Sequence, residues 1–73
     1  MNREEVKNIK MQYPVGTRIQ LDYMDDFQAV LPGTKGTVTH VDDIGNIHMH
    51  WDNGRTLALC PDTDSFHKIK EVE

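Results

Sequence analysis

The chain has 73 residues, and its eight Lys and Arg against twelve Asp and Glu give a formal net charge of −4 at pH 7. This length predicts one domain, residues 1–73, which buries only about 60% of the surface that the unfolded chain exposes. The acidic balance and the scattered basic residues disfavour non-specific nucleic-acid binding, because phosphate neutralisation dominates such affinity. A local basic patch formed by the fold stays open.

The cysteine content and the hydropathy suggest where the protein is found. Cys60 is the one cysteine, so no internal disulfide can form, and a lone thiol fits a reducing compartment. No signal peptide is recognisable, and no apolar run approaches the roughly 18 residues of a membrane span. We therefore expect a soluble, cytoplasmic protein without a membrane partner.

A short amphipathic helix is predicted over residues 2–12. Asn2 is a suitable N-cap, and Glu5 three positions later completes a pattern like the capping box. Pro14 ends the helix, because the residue before a proline is disfavoured in the helical region. A helix this short is marginal alone in water, so its apolar stripe must pack against something. We expect it to cover one open end of the barrel that the later segments predict, and a frayed helix or one held by a partner is the alternative. The stripe consists of Val6, Ile9 and Tyr13.

The first strand is predicted over residues 17–23, where Ile19, Leu21 and Tyr23 alternate with polar residues. Residues 24–31 lack this alternation and predict an irregular loop that is rich in acidic and large apolar side chains. Pro32-Gly33 closes the loop with a turn. The apolar cluster of the loop either covers the core as a lid or forms a partner surface. It consists of Phe27, Val30 and Leu31.

Two turn signals flank a later strand. Asp43-Ile44-Gly45 and Asp52-Asn53-Gly54 each end in a glycine suited to positive φ, as in three-residue hairpin loops. A two-residue Asn53-Gly54 turn is the alternative, but it would turn an apolar residue outward. Between the turns, apolar and polar residues alternate, which predicts an antiparallel meander. The predicted facing pairs are Val41 with Ile47, His40 with His48, Ile47 with Leu59, Met49 with Leu57, and His50 with Thr56.

The strand before this meander is predicted over residues 35–41. Gly36 inside it indicates a bend or a close approach of another group to the backbone. Strict alternation from Val41 would point Val38 outward, so we expect a bulge near Thr39 or His40 that returns Val38 to the core.

A last short strand, residues 66–69, follows a turn at residues 61–65. Five short strands, a long first loop and tight hairpins predict a mainly β fold, a five-stranded SH3-like small barrel over residues 15–69 with a short N-terminal α-helix.

Several segments carry a resemblance to a known family. They are Pro32-Gly33-Thr34-Lys35-Gly36-Thr37-Val38, Val41-Asp42-Asp43, Gly45, Ile47 and Trp51-Asp52-Asn53-Gly54. This pattern resembles a small bacterial domain family known only as a domain of unknown function, found in Gram-positive bacteria, their phages and mobile elements. The resemblance implies the fold and no settled activity. More weakly, residues 33–49 are similar to the KOW motif, whose barrels bind RNA or protein.

Three histidines, His40, His48 and His50, are predicted on one outward face. Facing imidazoles could share a Zn²⁺ ion, but structural zinc sites usually include cysteine, so solvent-facing histidines and no metal site are preferred. No phosphate-binding loop occurs, and no Ser or Cys nucleophile lies in a recognisable setting. We therefore expect neither an enzyme nor a cofactor.

The leading hypothesis is a non-catalytic adaptor that binds another protein through its first loop. The contacts would be Asp25, Asp26 and Phe27, over an apolar floor of Tyr23 and Trp51, although alternation makes Trp51 at least partly core. The acidic balance predicts a partner of basic character.

Two other hypotheses belong to different classes. One is KOW-like binding of RNA or DNA through Arg18, Lys35 and Arg55, which predicts a steep dependence of affinity on salt. The other is an acidic mobile-element inhibitor that occupies the basic channel of a host nuclease.

Overall fold

A computed structural model of the chain describes residues 2–24 and 30–70. Within them it has one helix and one four-stranded antiparallel sheet of order β3-β2-β1-β4, which confirms a mainly β fold with a short N-terminal helix. The elements are α1 Arg3–Gln12, β1 Arg18–Tyr23, β2 Lys35–Val41, β3 Ile47–Trp51 and β4 Ser65–Lys68. No helix in this part of the chain has the length and apolar character that crossing a membrane requires.

The helix is capped and docked as its sequence predicts. The Asn2 side chain accepts a hydrogen bond from the Glu5 amide at 2.8 Å, which satisfies one of the free donors of the first turn. Val6 is buried, and Ile9 and Tyr13 pack against the core of the domain. Burial of this stripe supplies the stabilisation that so short a helix lacks alone.

The hairpin formed by β2 and β3 confirms the predicted register. Val41 pairs with Ile47 and His40 with His48, and the register shifts between Val38 and His40. This bulge returns Val38 to the core. The three-residue loop ends in Gly45, whose φ is 88°.

The fifth strand and the closed barrel are not found in the described residues, and the sheet stays open. Leu59 makes a single antiparallel bridge with Ile47, through hydrogen bonds of 2.9 and 2.7 Å. The Trp51 amide donates to the Arg55 carbonyl at 2.7 Å. Residues 55–59 therefore keep, at both of their ends, the register that the three-residue loop Asp52-Asn53-Gly54 predicts. Between them the Leu57 carbonyl accepts the Trp51 indole N–H at 2.8 Å. The ladder is therefore interrupted: the predicted pair Ile47–Leu59 is confirmed, whereas Met49–Leu57 and His50–Thr56 do not form ladder pairs.

The core lies on one face of the sheet. A register shift between Leu21 and Tyr23, opposite β4, breaks the alternation of β1. As a result Met24 is buried, whereas Tyr23 is turned outward. The core side chains, apart from Val6 on the helix, are Ile19, Leu21, Met24, Val30, Val38, Ile47, Met49, Trp51 and Leu59.

Candidate interaction surfaces

The base of the first loop presents two large apolar side chains. The Leu21 amide donates to the Thr34 carbonyl at 2.9 Å, and the Gly33 amide donates to the Leu21 carbonyl at 2.7 Å. These bonds pair the chain before the loop with the chain after it. Tyr23 and Leu31 flank this base and are 57% and 73% exposed. We call these two residues the first-loop surface.

Both ends of the first loop are anchored to the core. Met24 and Val30 are buried, and the Thr34 amide donates to the Leu31 carbonyl at 3.2 Å across the predicted Pro32-Gly33 turn. Val30 therefore covers the core, whereas Leu31 faces outward. The other predicted contact residues, Asp25, Asp26 and Phe27, lie outside the described residues.

Trp51 is core and does not form an apolar floor at the surface. Its side chain is completely buried, and its indole N–H donates to the Leu57 carbonyl. Of the predicted partner-binding residues that the structure describes, Tyr23 is the exposed one.

Two of the three cations proposed for nucleic-acid binding, Arg18 and Lys35, interact with one carboxylate, that of Asp52. Arg18 donates two hydrogen bonds to Asp52, at 2.8 and 2.7 Å, and a third to the Thr37 hydroxyl at 2.9 Å. The bonds from Arg18, with a smaller contribution from Lys35, hold the pKa of the Asp52 carboxyl below its ordinary value of 3.8 although burial opposes the shift. Arg55 is exposed and directly follows the turn Asp52-Asn53-Gly54. Asp52 thus offsets part of the positive charge that a phosphate would meet.

Two of the outward histidines, His40 and His48, lie beside the β2–β3 loop, whose turn is held by Asp42. The rings of His40 and His48 are stacked, with centroids 4.1 Å apart and planes at 11°. His48 Nε2 lies 2.8 Å from Asp42 Oδ2, while Asp42 Oδ1 accepts the amides of Ile44 at 3.1 Å and Asn46 at 2.9 Å. Among residues 2–24 and 30–70, no three His, Cys, Asp or Glu side chains are placed to hold one metal ion.

The Asp42 carboxylate predicts an acid sensitivity of the fold. The hydrogen bond with His48, helped by the two loop amides, holds the pKa of Asp42 below its ordinary value of 3.8, although burial opposes the shift. A carboxyl with a depressed folded pKa stabilises the protein above its unfolded pKa, and this stabilisation is lost as the pH falls through the folded value. We expect Asp42→Asn, which keeps an acceptor oxygen but does not titrate, to flatten the pH dependence of the free energy of unfolding below about pH 4.

Urea unfolding at a series of pH values measures this effect. Asp62→Asn is the matched control, because it removes the same charge from an exposed carboxyl of the turn before β4. Equal slopes for the wild type and Asp42→Asn below about pH 4 would show that Asp42 does not contribute.

A groove lies between α1 and the β2–β3 loop. Arg3, Lys7 and Lys10 recur at spacings of four and three residues, which places them on one helix face. With Val6 and Asp43 they line an open cavity of about 540 Å³. We call this cavity the α1 groove.

A smaller cavity of about 260 Å³ adjoins the α1 groove, since Lys10 lines both. Its other lining residues are Tyr13, Pro14, Val15, His40 and Val41. Sequence reasoning missed the α1 groove, although the regular spacing of three basic residues along a predicted helix was a signal for it.

The fold and these surfaces define a small mainly β domain in which a docked helix and the base of a long loop are the candidate contact regions. The chain belongs to the family DUF4314, a domain of unknown function, whose model matches residues 2–69. This confirms the family membership that the residue pattern predicted. No curated protein and no solved structure matches the chain.

Proposed function

We propose that this protein is a non-catalytic binding module that contacts a protein partner through the first-loop surface. The observation that carries the proposal is the exposure of Tyr23 and Leu31 at the two ends of a loop whose base is hydrogen-bonded and anchored in the core. Loops positioned by a rigid scaffold are frequent binding sites. Burial of two large apolar side chains against a partner removes apolar surface from water, which favours association.

In our proposal the fold is a variant of the SH3-like barrel, and this fold presents the first loop to the partner. The hydrogen bonds of Trp51 with Arg55 and of Ile47 with Leu59 keep residues 55–59 along the free edge of β3, where the fifth strand of such a barrel would lie. In our proposal Asp25, Asp26 and Phe27 extend the contact, and the net charge of −4 favours a basic partner surface. The free thiol of Cys60 supports a cytoplasmic location, and the residue pattern supports a bacterial or mobile-element origin.

Site-specific photo-crosslinking tests the proposal. Leu31 is replaced by the photoreactive residue p-benzoylphenylalanine, and Met11 on the helix is replaced in a control protein, because the two side chains are 73% and 71% exposed. In nuclease-treated bacterial lysate, we expect a discrete protein to be crosslinked from position 31 and not from position 11. Identical products from both positions, or products that require nucleic acid, would contradict the proposal.

Affinity for the purified crosslinked partner provides the second measurement. We expect Tyr23→Ala combined with Leu31→Ala to weaken binding at least about tenfold, since truncation of central apolar contacts typically costs more than 1 kcal/mol. Met11→Ala should leave the affinity within about twofold. An unchanged affinity of the double variant would exclude the first-loop surface as the contact.

The other two hypotheses rank below this one. Nucleic-acid binding through Arg18, Lys35 and Arg55 is disfavoured because the Arg18 guanidinium is bonded to the Asp52 carboxylate, whose negative charge also acts on Lys35. Inhibition of a host nuclease ranks last, because a net charge of −4 is modest for a protein that imitates DNA.

A further inference from the structure

We propose that the α1 groove is a second binding site, which takes a short acidic peptide segment. This site is separate from the first-loop surface, because it is formed by α1 and the β2–β3 loop. It prefers an acidic ligand, whereas the first-loop surface is proposed to bind a basic partner. Three cations and one carboxylate line it. The rest of the chain has five cations and eleven carboxylates. The fold therefore collects positive charge at one place on an acidic protein.

The charge distribution favours a short peptide over a nucleic acid. At physiological ionic strength, charges more than about 8 Å apart are largely screened from one another. A segment with a few carboxylates can lie wholly within reach of Arg3, Lys7 and Lys10. A nucleic acid would continue past the groove, and its phosphates would meet a surface with an excess of acidic residues.

The spacing of the cations suits an extended acidic segment. From Arg3 to Lys10 the helix axis advances about 10 Å, at about 1.5 Å per residue. Alternate side chains of an extended peptide lie about 7 Å apart on one side, so two carboxylates separated by one residue can each reach a cation. Arg3 can bind a carboxylate through two parallel hydrogen bonds, and Val6 supplies an apolar floor.

The resident carboxylate is a weak competitor. Asp43 Oδ1 lies 3.2 Å from Lys10 Nζ, but the Asp43 side chain is fully exposed and that of Lys10 is 45% exposed. Exposed ion pairs of this kind contribute little, so an incoming carboxylate can replace Asp43 beside Lys10. The adjoining cavity, with Tyr13 and Val41 in its lining, leaves room for an apolar residue after the acidic ones.

Two variants of equal charge test the proposal. Arg3→Gln with Lys7→Gln removes one Arg and one Lys from the α1 groove, and Arg55→Gln with Lys70→Gln removes the same pair from exposed positions elsewhere. The probes are a fluorescein-labelled peptide of four glutamates followed by leucine, its glutamine counterpart, and a short oligothymidylate. Binding to the full chain is followed by fluorescence anisotropy at low salt, after circular dichroism has shown that both variants are folded.

We expect the wild type to bind the glutamate peptide more tightly than the glutamine peptide and the oligothymidylate. The Arg3/Lys7 variant should bind it at least about tenfold more weakly, which corresponds to the loss of two charge-assisted contacts. The Arg55/Lys70 variant should stay within about twofold of the wild type, because its substitutions lie outside the groove.

Three outcomes would overturn the proposal. They are the absence of peptide binding by the wild type at low salt, an equal loss in both variants, and tighter binding of the oligothymidylate that is lost in the Arg3/Lys7 variant. The last would make the groove a nucleic-acid site. Crosslinking from position 31 is measured separately in the Arg3/Lys7 variant, so failure of this site is distinguishable from failure of the first-loop surface.

Discussion

Replacement of Trp51 by alanine is expected to remove most of the stability of the protein. Trp51 is the largest of the completely buried side chains, and truncation of a buried Trp typically costs about 3 to 5 kcal/mol. A domain of 73 residues has a total free energy of unfolding of roughly 4 to 11 kcal/mol. Loss of the indole N–H also leaves the Leu57 carbonyl without its hydrogen-bond donor. This loosens residues 55–59, which follow β3.

Urea unfolding followed by far-ultraviolet circular dichroism measures this effect, since the variant lacks the one tryptophan of the chain. Trp51→Phe is the matched control, because it keeps a buried ring but not the indole N–H. We expect it to lower the free energy of unfolding by about 1 to 3 kcal/mol. A loss below about 1 kcal/mol in Trp51→Ala would show that the core closes around the missing side chain.

The β2–β3 hairpin shows how far local sequence determines this fold. Its loop ends in a glycine, and its strands alternate in polarity, so turn chemistry and burial favour the same register. The bulge near Thr39 was also predictable, because Val38 reaches the core only if one residue is inserted before His40. Where local signals agree in this way, the pairing follows from the sequence.

The missing strand after β3 has a different cause. At both ends, residues 55–59 bond to β3 in the predicted register, through Arg55 and Leu59. Between these ends, the Leu57 carbonyl accepts a side-chain hydrogen bond from the Trp51 indole. Likewise, the register shift opposite β4 turns Tyr23 outward although the alternation of β1 places it inward. The first feature depends on a side-chain hydrogen bond between residues six positions apart, and the second depends on pairing with β4, which is distant in the chain. The alternation of polar and apolar residues contains neither contact.

The candidate surfaces were only partly predictable for the same reason. The loop between β1 and β2 was recognisable from its composition, but which apolar residues it exposes depends on its anchoring by Met24 and Val30. The basic spacing on α1 was visible in the sequence. Its position beside Asp43 depends on how the helix docks on the sheet.

Replacement of Gly36 by alanine is expected to destabilise the protein by about 2 to 3 kcal/mol, in the upper range for an overpacked core. A Cβ atom at Gly36 would lie 2.7 Å from Trp51 Cε3, 3.1 Å from the His50 carbonyl oxygen and 3.1 Å from Met49 Cε. The methionine end can move, but the buried indole and the backbone of the paired strand cannot move without repacking. The sequence predicted a bend or a close backbone approach at Gly36, and the contact with Trp51 is that approach.

A double-mutant cycle separates this clash from other effects of the substitution. Trp51→Phe removes the outer ring of the indole, which carries Cε3, so Gly36→Ala should destabilise this background by at least about 1 kcal/mol less than the wild type. Gly54→Ala should show no such coupling, because its Cβ meets nothing within 4 Å and its strain arises from a φ of +91°. Equal effects of Gly36→Ala in both backgrounds, measured by urea unfolding, would mean that the close approach to Trp51 is not what requires glycine at position 36.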